Sequence, residues 1–238
     1  MRGNSGVIIS MKGELVNENR LRSAGPGDDK NKIYRMGKRF FDLVISSIII
    51  VAILSWLMPV IAILIKLNSR GPVFFLQERV GKNGRPFTCY KFRTMIPNRD
   101  ADSVQASEND YRITGFGRLL RNSNLDELPQ FFNVFAGNMS LVGPRPHMHA
   151  DCLMFSRLIP GYSFRYGAKP GITGLAQIKG FSGPALDRER IFGRYQWDAF
   201  YIRNANFSLD LRIMRNTIFQ QLKSWVSPLI AMNKKTEA

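Results

Sequence analysis

Residues 43–65 read LVISSIIIVAILSWLMPVIAILI, running from Leu43 to Ile65 without a charged side chain. About 20 apolar helical residues cross a bilayer, so the run is long enough for a transmembrane helix. Two features argue against a plain span. Lys38 and Arg39 precede it and Lys66 and Arg70 follow it, so the cytoplasmic bias of basic residues favours neither end. Pro59 lies inside the run, where it has no N–H to donate and disfavours helix at Met58. A helix broken at Met58-Pro59 enters and leaves by one face, with both basic ends on anionic headgroups. Irregular backbone at that depth needs compensating hydrogen bonds, and Ser55, one turn earlier, can supply one. Physics alone leaves the spanning anchor and the re-entrant hairpin both open.

The rest of the composition is consistent with a membrane surface. The 238 residues carry 34 Lys and Arg against 18 Asp and Glu, a net charge of +16. That field attracts polyanions: nucleic acid, anionic lipid headgroups or phosphorylated small molecules. Cys89 and Cys152 stand far apart with no C-x-x-C pattern, which excludes a disulfide framework or a zinc ligand set and suits a reducing compartment. Residues 1–33 are polar and rich in Gly, Asn and charge. They are not a signal peptide and hold too little apolar surface to order themselves, so a mobile tail is expected.

Beyond the apolar run, Pro72–Met95 reads as a β-hairpin. Val73–Leu76 and Phe87–Phe92 flank Gly81-Lys82-Asn83-Gly84, and Asn-Gly is a strong turn signal. Alternation puts Lys91 and Arg93 on one face and Phe92 on the other; that face is either solvated or turned toward phosphate. Pro97–Asp110 is polar and loop-like. Arg118 and Arg121 share a helix face at spacing three. Asn124 and Glu127 fit a capping box. Leu128, Phe131, Phe132 and Phe135 then recur at helical spacing until Gly137, and Pro129 falls in the tolerant first turns. After Arg145 little periodicity remains until a helix over Leu186–Tyr201, begun near Asp187, and an apolar-basic stretch, Leu209–Trp225, suited to an interface.

Within this frame the segment Leu125–Pro146, LDELPQFFNVFAGNMSLVGPRP, carries the chemistry. Asp126 and Glu127 are adjacent, so on a helix they diverge by about 100° and cannot share a proton as a carboxyl dyad does. A division of labour fits better: one attacks or abstracts a proton, the other holds a metal. The helix N-terminus favours their ionised forms, and that alone is a common structural reason for acids in a first turn. Arg145 between Pro144 and Pro146 is harder to explain structurally. Two fixed φ angles restrict it, and its forked donors suit phosphate.

These stretches resemble the bacterial sugar transferases, in particular the monotopic polyprenyl-phosphate phosphoglycosyl transferases. The resemblance runs through Lys38–Asp42, Pro72–Phe75, Gln77–Gly81, Lys91–Met95, Arg112–Thr114, Leu125–Gln130, Gly137–Pro146, Lys169–Gln177 and Asp198–Asp210, about residues 35–220. It implies transfer of a sugar-1-phosphate from a UDP-sugar to undecaprenyl phosphate, releasing UMP, in the initiation of exopolysaccharide, capsule, O-antigen or glycoconjugate synthesis. Asp126 would be the nucleophile, forming a covalent phosphosugar intermediate. Glu127 would help bind Mg²⁺ and Arg145 would bind phosphate, with Lys91 and Arg121 near them; Arg93, on the strand face of Lys91, is a further candidate for phosphate. The resemblance also implies a re-entrant helix, its break at Pro59, on the cytoplasmic face of the bacterial inner membrane.

The expected architecture is α+β and helix-rich: a polar tail (1–33), a re-entrant membrane helix hairpin (34–70), a cytosolic-face catalytic domain with a β-hairpin and interfacial amphipathic helices (71–225), and a C-terminal tail (226–238). The expected partners are a UDP-sugar, undecaprenyl phosphate and anionic membrane lipids; a homodimer is left open. The sequence departs from the family pattern at Met58, where a Ser precedes the proline, at Asn124, where a Ser begins the acidic motif, and at Lys179–Gly183, where an arginine is usual. Some relatives carry a further membrane domain where this sequence has its polar stretch. A catalytically silent scaffold for polysaccharide assembly is the alternative, disfavoured by intact Asp126, Glu127 and Arg145. A nucleic-acid binder has only the +16 charge for it, shows no binding motif, and would leave the apolar run unexplained.

Overall fold

A computed structural model of the chain describes residues 7–9, 15–17, 28–98, 110–183 and 187–236, with side chains over 32–98, 110–183 and 187–225. The chain is helix-rich with three two-stranded sheets. Strands β1 (Val7–Ile9) and β2 (Leu15–Asn17) pair antiparallel within the stretch expected to be a tail; the rest of that stretch up to residue 27 lies outside the described residues, as does 99–109 of the expected loop.

Helix α1 (Asp28–Ile49) passes into a π-helical segment, Ile50–Leu54, and then α2 (Ser55–Asn68). Over Lys32–Asn68, 37 residues, this is the one helix among the described residues long and apolar enough to cross a membrane. Only 17% of its most apolar window is buried inside the protein, whereas a core helix would be covered on most sides. Helix continues through Met58 and Pro59, and the irregular backbone comes earlier. The Ser55 N–H reaches back five residues to the Ile50 carbonyl, the register of a π-bulge. Ser55 Oγ donates to Val51 O at 2.6 Å and Trp56 Nε1 to Ala52 O at 2.9 Å. Two carbonyls of the π-helical segment thus accept from side chains, and Ser55 serves this segment rather than the expected break at Met58-Pro59.

The hairpin forms as read, with longer strands. β3 (Phe74–Val80) and β4 (Pro86–Phe92) pair antiparallel from Phe74↔Phe92 to Val80↔Pro86. The turn places Asn83 at φ 58° and Gly84 at φ 75°. Phe92 is buried with Leu120 of α3 (Gly115–Asn122) against Ile61 and Ile65 of α2. A second core joins α4 (Gln130–Ala136), β5 (Ser140–Val142) and Leu175, Tyr201 and Ile213, and Phe41 and Ile45 of α1 pack on it.

The capping box at Asn124 does not form. Asn124 lies in the left-handed region (φ 55°), makes no cap hydrogen bond, and donates instead to Gln221 Oε1. Its N–H bonds the Arg121 carbonyl, so it closes α3 as a left-handed terminator rather than opening the next helix. The acidic pair therefore sits in a separate 3₁₀ turn, Leu125–Glu127, before Pro129 caps α4. Gly137, at φ 87°, ends α4 as expected.

After Arg145 the structure holds two elements that weak periodicity concealed: α5 (His149–Leu158) and a 3₁₀ stretch, Tyr162–Gly167. Strand β6 (Gly171–Thr173) pairs parallel with β5, followed by α6 (Leu175–Ile178). Helix α7 (Arg188–Asn204) is capped by Asp187, whose carboxylate accepts from the Arg190 N–H. Residue 186 lies outside the described residues. Helix α8 runs from Phe207 to Thr236, past the expected boundary at 225.

Polar contacts fix both ends of the apolar helix. Near its start, Arg39 donates to Val134 O and Phe135 O at 2.7 and 2.8 Å. Asp42 accepts from Leu141 N and Ser140 Oγ, and Asp210 of α8 accepts from Lys38 and Tyr34. At the far end Arg93 donates to Ser69 O and Arg70 O at 2.7 and 2.8 Å. Asn133 of α4 bonds Tyr90 N and Thr88 O of β4, so the elements that grip the two ends are themselves joined.

Candidate active site

Lys91, Arg93, Arg121, Asp126, Glu127 and Arg145 line one cavity of about 540 Å³. Four elements deliver them: the end of β4, the end of α3, the 3₁₀ turn, and the proline-flanked loop after β5. All six residues singled out in the sequence thus come together, although 54 positions separate Lys91 from Arg145.

Within the cavity the two carboxylates differ. Glu127 Oε1 accepts from Lys91 Nζ at 2.7 Å and Arg145 Nη2 at 2.5 Å, and Oε2 from Arg145 Nη1 at 3.2 Å. Burial alone would raise the Glu127 carboxyl, but the two cations outweigh it and hold the group well below the usual carboxylate range. Asp126 makes no hydrogen bond or ion pair among the described residues. Burial, then the neighbouring Glu127 charge, push its carboxyl up to about 6, against the pull of Lys91, Arg121 and Arg145. The 3₁₀ turn, with three residues per turn, points adjacent side chains about 120° apart, which lets one acid be paired while its neighbour is not. The hard oxygens suited to Mg²⁺ are those of this pair; no group of three or more His, Cys, Asp or Glu occurs among the described residues. Magnesium is commonly held by one or two carboxylates plus substrate phosphates, so the donor set fits.

Arg145 is itself held in place. Its carbonyl accepts from Arg165 Nη2 at 2.6 Å, and Arg165 pairs with the buried Asp198 at 2.9 Å. Arg93 is turned differently from Lys91: its Nη atoms cap the carbonyls at the end of α2, although its side chain still borders the cavity. Arg118 is exposed and outside it.

Sequence reasoning missed Arg79, His147 and Arg194, which also line the cavity. His147 Nδ1 lies 2.6 Å from the Tyr162 hydroxyl and Nε2 3.3 Å from Arg194 Nη1. Burial and the charges of Arg165, Arg194, Arg79 and Arg145 keep the imidazole neutral, far below its ordinary value. With Nε2 accepting from Arg194, the proton belongs on Nδ1, toward Tyr162. The signal for Arg79 was present, since Gln77–Gly81 is one of the matching stretches. Arg194 sits in a helix of mixed charge and carries no local signature.

The chain thus combines one long apolar helix with a cavity that gathers two carboxylates among several cations, and comparison with known sequences shows its family. Residues 33–224 match the family described as bacterial sugar transferase. The chain belongs to that family. It is 45% identical over 191 residues to UDP-glucose:undecaprenyl-phosphate glucose-1-phosphate transferase of Klebsiella pneumoniae, covering 80% of this chain and 41% of that protein. It is 42% identical over 209 residues to UDP-N-acetylgalactosamine-undecaprenyl-phosphate N-acetylgalactosaminephosphotransferase of Aeromonas hydrophila, covering 87% and 48%. A third relative, exopolysaccharide production protein PSS of Rhizobium leguminosarum bv. phaseoli, is 42% identical over 190 residues, covering 78% and 94%. The chain thus spans less than half the length of the first two relatives and nearly all of the third.

Proposed function

We propose that this chain transfers a sugar-1-phosphate from a UDP-sugar to undecaprenyl phosphate, releasing UMP, as the first step of a bacterial surface polysaccharide or glycoconjugate. The observation that carries the reading is the contrast inside one cavity: Asp126 is unpaired and raised, while Glu127 is paired and low, among Lys91, Arg121 and Arg145. Desolvation strengthens a carboxylate as a base and nucleophile, and a value of about 6 leaves it ionised at neutral pH.

In this mechanism Asp126 Oδ attacks the sugar-bearing phosphorus in line with the oxygen that bridges to the second phosphate. That P–O bond breaks, its electron pair leaves with UMP, and an aspartyl phosphosugar remains. The phosphate oxygen of undecaprenyl phosphate then attacks the same phosphorus, and the Asp126 carboxylate is restored. Arg145, pinned by Pro144, Pro146 and Arg165, supplies a forked donor pair for equatorial oxygens. Lys91 shares the Glu127 carboxylate with it and adds a second cation. Glu127 would help hold Mg²⁺, which would neutralise charge on the diphosphate.

The membrane element belongs to the same proposal. We read the apolar helix as re-entrant, with the active site on the cytoplasmic face of the inner membrane. Support comes from the polar contacts that tie both of its ends to one body, and from the exposed apolar Ile218, Phe219, Leu222 and Trp225 beside basic Arg212, Arg215 and Lys223 on α8.

The test is UMP release by purified protein given a panel of UDP-sugars, Mg²⁺ and undecaprenyl phosphate. Release with at least one sugar, lost in Asp126→Asn, supports the proposal. No UMP with any sugar favours a silent scaffold, and full activity in Asp126→Asn removes the nucleophile.

A further inference from the structure

The wall of the cavity continues past Arg145 into a group of cations that the proposed chemistry has not used. Pro146 and His147 follow Arg145 in the chain. The Pro146 carbonyl accepts from Arg79 Nη1 at 3.3 Å, and His147 Nε2 accepts from Arg194 Nη1 at 3.3 Å. Arg79 and Arg194 thus contact the two residues that follow Arg145, and all three arginines line the same cavity. Arg194 is 7% exposed, and its other nitrogens hold Phe181 O and Gly183 O. Arg79 bonds Gln77 Oε1, and its Nε is buried with no partner.

Neither guanidinium forms an ion pair among the described residues, whereas Arg112, Arg145 and Arg165 each have a carboxylate. Asp151 borders the cavity and attracts Arg79. Buried cations are normally paired, and here the unpaired ones face a cavity that already gathers phosphate-binding groups. Burial lowers both, and for Arg194 repulsion from Arg145 adds to it, bringing that group down to about 10; an anion would relieve both effects.

We infer that Arg79 and Arg194 form a second anion site, which holds the phosphate that departs with the nucleoside. The inference rests on the transferase reading and specifies where its leaving group sits. In-line attack by Asp126 requires the leaving oxygen opposite the attacking one, and Arg79 and Arg194 are cations of the same cavity bonded to neither Asp126 nor Glu127. When the bridging P–O bond breaks, that phosphate goes from one negative charge to two, so cations there gain attraction as the reaction proceeds. The loop Phe181–Gly183, where the family's usual arginine is absent, is held by Arg194, whose own guanidinium brings a cation to that edge of the cavity.

Calorimetric binding of UMP and of uridine to the full chain in detergent, with the rate of UMP release and the melting temperature, tests this. Arg79→Gln and Arg194→Lys are expected to weaken UMP about tenfold or more, the scale of a lost charge-assisted hydrogen bond, with uridine binding unchanged. Arg79→Lys should recover part of the loss. Should Arg194→Lys melt early, Arg79→Gln carries the test alone, since Arg79 holds no loop carbonyl beyond Pro146. Wild-type UMP affinity in folded Arg79→Gln, or a rise only in the KM for undecaprenyl phosphate, overturns the second site while turnover persists. Absence of both UMP binding and turnover in the wild type overturns the transferase reading itself.

Discussion

Arg145 Nη2 lies 2.5 Å from Glu127 Oε1, the same oxygen that accepts from Lys91 Nζ at 2.7 Å. One carboxylate therefore holds two cations that would otherwise repel each other across the cavity. Glu127→Gln keeps the shape and removes the charge. It is expected to lower stability by about 1–3 kcal/mol, less than a fully buried pair because Arg145 and Lys91 stay partly solvated. Chemical unfolding in detergent measures this. Adding Arg145→Met should restore part of the loss, since one of the stranded cations is then gone. Turnover should fall at least a hundredfold in both variants, an effect the size of losing one electrostatic contact to the transition state.

Asp126 makes the opposite prediction. Its carboxyl is raised to about 6 in the fold, against about 3.9 in an unfolded chain. Folding thus disfavours the charged form, and at pH 7 that works against stability. Asp126→Asn should stabilise the protein by about 1–2 kcal/mol after allowance for solvent screening, while UMP release is lost. The gain should shrink as pH falls from 6 toward 4 and vanish below, where Asp126 is protonated in both states. In the wild type, turnover should rise through pH 6 as the nucleophile ionises. A flat rate between pH 5 and 7 contradicts the assignment.

A third prediction concerns the strand pair behind Arg145. A Cβ on Gly171 would stand 2.1 Å from Gly143 N, and one on Gly143 2.3 Å from Lys169 O. β5 and β6 approach backbone to backbone here, with Gly171 N donating to Pro144 O at 3.0 Å. Gly171→Ala must push β5 back and shift the loop that carries Arg145. A loss of about 1–3 kcal/mol, typical of overpacking, should accompany a larger fall in kcat than in substrate affinity.

The parts legible in the sequence were those with local causes. The β3–β4 hairpin followed from its Asn-Gly turn, the end of α4 from Gly137, and the cap of α7 from Asp187. The six cavity residues were also found, Lys91, Arg93, Asp126, Glu127 and Arg145 from their charge and setting, and Arg121 with help from the family pattern. What failed was competition between neighbouring signals. Asn124 suits either end of a helix, and its position after α3 made it a terminator, so the acids fell in a 3₁₀ turn. Helix α5 was obscured because its buried face is formed by Asp151, Cys152 and Phe155 while Leu153 and Met154 are exposed; the apolar period is broken. Arg79 lay within a matching stretch but had no role there, and Arg194 has no local signature; both owe their place in the cavity to tertiary contacts, with Pro146 and His147.

The last prediction concerns the apolar helix. A straight α-helix rises 1.5 Å per residue, so Arg39 and Ser69 would lie about 45 Å apart if the helix were ideal and unbent, on opposite sides of a hydrocarbon core about 30 Å thick. Yet Arg39 is bonded to α4 and Ser69 to Arg93, the residue after β4, and Asn133 ties α4 to β4 directly. A polar body that grips both ends cannot sit on both sides of a bilayer. The shift of register at Ile50–Leu54 and the missing N–H of Pro59 give the helix two places to bend, and the bonds from Ser55 and Trp56 cap the carbonyls that bending exposes. Met36→Cys and Arg70→Cys, both at exposed positions, should therefore be labelled together by an impermeant maleimide in inverted vesicles, and neither in intact cells. Cys89 and Cys152 are buried and give little background. Labelling of one position alone from outside the cell would mean that the helix spans, and the proposed placement of Asp126 at the cytoplasmic interface would fall with it.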